Sequence, residues 1–147
     1  MNEIMELQTN QVSFISGLMA GFSLTIAANI ISYKNISILR SITLLLFILT
    51  SLLFVIALYI DVRLSIEVAS ISQFSPAVLD AIGKTRMVGT ASASIALFMF
   101  VVAIATLAWL QNRWAGLLGR IFAIAALFIL VIAKRNIDAI ALLATTN

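Results

Sequence analysis

Along this chain long apolar runs alternate with short polar stretches, and the runs have the length of membrane spans. Charge-free segments cover residues 7–33, 41–60 and 87–112, each near or above the ~20 residues an α-helix needs to cross hydrocarbon. A fourth run, 121–133, has only 13 residues. A full crossing there must begin near Trp114 and carry Arg120 in its first turns, with the Arg120 head snorkelling and with Trp114 and Lys134-Arg135 as interfacial anchors. The pattern predicts an all-α fold of four transmembrane helices, roughly 8–33, 40–73, 86–111 and 114–135, in a single integral membrane domain over residues 1–147. The middle connection, about 61–86, is too long for a simple turn. Its first half, 62–74, lacks Gly and Pro and is expected to continue helix 2 beyond the membrane. Ser75 and Pro76 then read as an N-cap and first helical residue and Gly83 as a stop, which predicts a short helix at 76–82. A short tail follows Lys134.

Polar residues are distributed unevenly among the four runs. Helix 1 contains or abuts Gln11, Ser13, Ser16, Ser23, Thr25 and Asn29, whereas residues 121–133 have no polar side chain. Helix 1 is therefore expected innermost in an assembly and helix 4 outermost, with helices 2 and 3 between them. At about 100° per residue, Phe14, Leu18, Phe22, Thr25 and Asn29 fall within roughly an 80° arc of helix 1. Lipid does not favour an amide and a hydroxyl on an exposed face, so this stripe is expected to meet protein or water. Gly17 and Gly21 form a GxxxG pair beside the stripe and allow a neighbouring helix, from the same or another chain, to come close. Ala115, Gly119 and Ala123 offer helix 4 a similar face.

Composition agrees with the pattern and removes much chemistry. The chain is 63% hydrophobic and 10% charged, with neither cysteine nor histidine, outside the range of soluble domains. Disulfides, zinc sites, thiol nucleophiles and imidazole bases are excluded together. Asp61 and Asp80 are left as a formal aspartyl pair, but neither sits inside an apolar run and nothing places them together. No enzymatic activity, cofactor, metal or nucleic acid is expected. Glu3 and Glu6 stand where a cleaved signal peptide would carry bases, so the first span is expected to be retained.

With four crossings the termini share one face with the middle connection. That face holds all six acids with Arg63, Lys84, Arg86, Lys134 and Arg135, a net charge of −1. The opposite face carries Lys34, Arg40, Arg113 and Arg120 without an acid, a net charge of +4. Orientation follows counts of Lys and Arg, here five against four, which leans toward cytoplasmic termini in a cell membrane. In a ring of subunits the acid-free face would make one mouth strongly positive. The alternative for each of these bases is attachment to lipid headgroups.

Over about residues 12–111 the chain resembles the Orai calcium-channel family, whose four-helix subunits surround a pore lined by their first helices. The segment Ile15-Ser16-Gly17-Leu18-Met19-Ala20-Gly21-Phe22-Ser23-Leu24 is similar to that family's small-Gly-Phe-apolar pattern. Ser65-Ile66-Glu67-Val68-Ala69-Ser70 looks like its helix 2 extension, and Leu107-Ala108-Trp109 like its helix 3 terminus. The resemblance implies a pore line at Phe14, Leu18, Phe22, Thr25 and Asn29, the stripe that helical spacing had selected. Three departures stand against the family pattern. Asn29 occupies the place of the selectivity glutamate, Phe14 that of a basic residue, and Ala103 that of an acid in helix 3. A ring of neutral amides lacks the field that concentrates divalent cations, so calcium selectivity is not implied.

Together these features lead to the expectation of a homo-oligomeric ion channel with a hydrophobic gate at Phe14, Leu18 and Phe22. Its partners would be lipid, other copies of the chain and permeant ions. The competing expectation is a non-conducting membrane interaction or assembly protein, or a small lesion-forming factor, in which the stripe is a packing face.

Overall fold

A computed structural model describes residues 2–32, 37–70 and 75–145. It consists of four helices, α1 (Asn2–Ile31), α2 (Ile38–Ser70), α3 (Pro76–Gln111) and α4 (Arg113–Thr145), with no strand among the described residues. At ~1.5 Å per residue these 30- to 36-residue helices measure about 45–54 Å, well beyond a ~30 Å hydrocarbon layer. Each contains a stretch long and apolar enough to cross a membrane. The chain is a multi-pass membrane protein.

Local signals explain where the helices begin. Ser37 caps α2, its hydroxyl accepting from the Arg40 N–H at 3.2 Å. Ser75 does the same for α3 with the Val78 N–H at 3.4 Å, as the Ser75-Pro76 pair predicted. Asn112 alone links α3 to α4, and its side-chain oxygen accepts from the Ala115 N–H at 2.7 Å.

Three boundaries differ from the sequence expectation. The separate helix at 76–82 does not exist, because α3 continues through Gly83 to Gln111. No glycine adopts the left-handed conformation of a helix stop, and Gly inside a helix costs only about 1 kcal/mol relative to Ala. An Asp80–Lys84 ion pair at 2.7 Å spans that turn. The expected tail after Lys134 is also helix, as α4 runs to Thr145; the segment has neither Gly nor Pro to end it. Helix 1 begins at Asn2 rather than near residue 8.

The chain divides into two compact units, Met1–Phe100 and Val101–Asn147, with the boundary inside α3. The division follows from Asn112 being the whole α3–α4 link, which folds α4 back onto the end of α3 as a hairpin of its own.

In the first unit α1 and α2 run antiparallel. Among the residues whose side chains are described, Ser16, Ala20, Ser23, Ala27 and Ile30 are the buried ones of α1, and Thr43, Phe47, Thr50, Ser51, Phe54, Ala57 and Asp61 those of α2. Alternating steps of four and three along both helices give a seam of 3.5-residue period, the signature of left-handed knobs-into-holes packing. Most seam residues are small, so the backbones come close, and packing contacts take the place of a hydrophobic driving force that lipid cannot supply. The Ser51 hydroxyl crosses the seam to the Ala20 carbonyl at 3.0 Å, a bond worth about 0.6 kcal/mol on average in a bilayer. Arg40 closes the end of α1, its Nε donating to the Ile30 carbonyl at 2.8 Å and an Nη to that of Ile31 at 2.8 Å. The first part of α3 joins through Gly89 and Ala96. Phe100 meets Phe47 edge to face at 6.1 Å, and Ala96 packs with Ala20 and Phe54.

The second unit is held by close backbone approach. A Cβ on Gly116 would lie 2.6 Å from the Trp109 ring, and one on Gly119 would lie 2.6 Å from the Ala108 Cβ. Only glycine fits at either position. Gly119 thus belongs to the predicted small-residue face of α4, and Gly116, which that prediction did not include, lies about two turns before Ala123 and is buried.

Candidate functional site

The predicted stripe lies on the outside of the first unit. Phe14 is 70%, Leu18 48% and Phe22 54% exposed, and Thr25 and Asn29 are exposed as well. On an ideal helix these five are centred about 160° from the five seam residues of α1. The seam against α2 therefore fixes the direction of the stripe, which the first unit leaves uncovered. Its polar members are not equivalent. The Thr25 hydroxyl donates to the Gly21 carbonyl at 2.9 Å and is satisfied within the helix, whereas the Asn29 amide has no hydrogen bond to a described residue. Side by side along α1 the stripe offers three large apolar groups, then a hydroxyl, then an amide.

The two glycines beside it separate. Gly17 faces α2, with Leu58 Cδ2 at 3.6 Å from a Cβ placed on it, while Gly21 is exposed and has nothing within 4 Å. Of the pair, Gly17 packs within the chain and Gly21 remains open to another helix.

The four bases of the predicted mouth have different roles. Lys34 lies outside the described residues. Arg40 is the cap of α1 already described, so its guanidinium satisfies helix carbonyls. Arg113 is exposed at the first turn of α4. Arg120 is exposed, and its guanidinium carbon lies 5.0 Å from the centroid of the Trp109 ring. Arg40 belongs to the first unit, Arg113 and Arg120 to the second.

The two aspartates do not share a site. Asp61 is buried beside Gly89, with Oδ1 at 3.4 Å from a Cβ built there, and feels the positive charge of Arg86. Asp80 is exposed and paired with Lys84. Among the described residues no group of three acids could hold a metal ion. Ala103 is fully buried.

Two elements escaped the sequence reading. One is the capping role of Arg40, signalled by a base just after the short link that follows α1. The other is the Trp109, Gly116 and Arg120 group, signalled by a glycine one turn before the arginine that interrupts an apolar run. No family model, curated protein or solved structure matches the chain.

Proposed function

We propose that this chain is the subunit of a homo-oligomeric ion channel whose pore is lined by the stripe of α1. One observation carries the proposal: the α1 face left bare by the α1–α2 seam is the face that holds Phe14, Leu18, Phe22, Thr25 and Asn29, whose amide has no hydrogen bond to a described residue. An unpaired amide is costly against hydrocarbon and inexpensive against water or a neighbouring polar group. Copies arranged around an axis would bring these faces together. The resemblance to the Orai family points to the same arrangement and rests on residue pattern and helix order alone.

In this pore Phe14, Leu18 and Phe22 form a dry constriction that blocks ions by dewetting, and Thr25 and Asn29 line a wetter segment. Opening turns the rings aside or parts the helices. Neutral Asn29 supplies no strong divalent field, so the channel is poorly selective. Purified protein in liposomes provides the test. Phe22→Ser should raise ion leak by about tenfold or more as the constriction wets; unchanged flux, with the protein correctly inserted, overturns the gate.

The second reading, a non-conducting assembly protein, is favoured by the bond from Thr25 to Gly21, which lets that hydroxyl face a neighbouring helix or lipid at little cost. Intact self-association without flux in any gate variant would select it.

A further inference from the structure

The α3–α4 hairpin contains a built arrangement that the pore does not use. Trp109 lies against the backbone of buried Gly116, where no side chain would fit. One helical turn later Arg120 covers the ring, 5.0 Å from its centroid. The indole thus fixes a guanidinium that would otherwise sample many rotamers. The ring attracts the cation as a whole and accepts no hydrogen bond in a lone-pair sense, so the five N–H groups of Arg120 keep their capacity for an anion.

Among the described residues those donors meet no carboxylate. Residues 81–137 contain no Asp or Glu, and Arg120 has no ion pair or hydrogen bond to a described residue. Arg113 stands seven residues earlier, about 10 Å along the axis and only ~20° around it, so both cations face one side of α4. Trp114, 77% exposed beside Arg113, marks the level of the membrane interface. Leu117 and Ile124 flank Arg120 on its own face, one turn before and one turn after it, and both are exposed. A cation set among exposed apolar side chains, below an interfacial tryptophan, requires a counter-charge that arrives with acyl chains attached.

We infer that Arg120, held on Trp109, and Arg113 together bind the phosphate of an anionic phospholipid headgroup. Arg120 offers the paired N–H groups that match two phosphate oxygens. The apolar residues around it receive the upper acyl chain, and Arg113 adds a second positive charge toward the water. This site differs from the pore and does not depend on conduction.

Trp109 and Trp114 are the only tryptophans in the chain, so Trp114→Phe makes Trp109 a single fluorescent reporter. The full-length Trp114→Phe protein is placed in phosphatidylcholine vesicles doped with equal mole fractions of acyl-brominated phosphatidylglycerol or acyl-brominated phosphatidylcholine. Trp109 quenching is then compared. The expected result is a preference for the anionic lipid of about fivefold, reduced to near one by Arg120→Gln and reduced less by Arg113→Gln. Equal quenching by both lipids overturns the proposal, as does a preference that survives Arg120→Gln. Relief of the quenching by inorganic phosphate would assign the site to a soluble anion and overturn the lipid. Arg120 is exposed, so its replacement leaves the fold intact, which elution of the variant at the parent volume in size-exclusion chromatography checks.

Discussion

On α1, the face toward α2 consists of Ser16, Ala20, Ser23, Ala27 and Ile30, whereas the opposite face carries Phe14, Leu18, Phe22, Thr25 and Asn29. A soluble helix would be turned the other way, with its phenylalanines inside and its serines outside. In hydrocarbon a phenylalanine gains little by leaving lipid, so side-chain size replaces hydrophobicity as the factor that selects the packed face. Small residues admit the α2 backbone, and the large rings are left for whatever lies beyond the protomer. The contrast between the two faces is the physical basis for assigning one to folding and the other to assembly.

Substitutions can break this contrast. The largest effect is expected from enlarging the seam. Ala27→Phe forces a ring into the buried α1–α2 seam and should cost roughly 1–3 kcal/mol or more, read as a lower unfolding midpoint in detergent. A change of similar size on the bare face, Ala28→Phe, should leave that midpoint in place, and equal loss at both positions would erase the distinction. Next in size is Asn29→Asp. A ring of carboxylates in place of amides should shift the reversal potential of reconstituted protein toward cation preference; an unmoved potential would remove Asn29 from the ion path.

A smaller difference should separate the two glycines. Gly17→Leu meets Leu58 and should destabilise the protomer, while Gly21→Leu enters open space and should weaken only self-association. Thermal unfolding and cross-linked oligomer yield, measured on both variants, would sharpen the division of labour. The smallest effect is expected at Ser23 and Thr50, whose hydroxyls are buried without a hydrogen-bond partner among the described residues. Ser23→Ala and Thr50→Val remove unsatisfied groups and should be neutral or stabilising by about 1 kcal/mol. A clear loss of stability would instead reveal a polar partner for them.

The four spans, the stripe and the Ser75 cap were legible in the sequence because length, helical period and capping chemistry are local. Gly83 and the segment after Lys134 were misread because they required a decision between a helix stop and a tolerated interruption, and neither residue type decides that alone. The stripe itself was legible only as an arc. Its direction, away from α2, depends on the 3.5-residue seam at Ser16, Ala20, Ser23, Ala27 and Ile30, which mixes small apolar and hydroxyl residues and so leaves no amphipathic signature. Arg40 and Arg120 looked alike in the sequence as bases on an acid-free face. One proved to be a helix cap and the other a stacked cation, a difference set by the neighbours each finds in space.

The absence of cysteine permits a direct measurement of the assignment of α1's two faces. Single cysteines at Phe14, Leu18, Phe22, Thr25 and Asn29 would be compared in membranes with cysteines at Ala20, Ser23 and Ala27, scoring oxidative cross-links between subunits. Cross-links confined to the first set are the predicted result and would gather several α1 helices around one axis. Cross-links absent from the stripe, or equally frequent on both faces, would contradict the assembly and with it the pore.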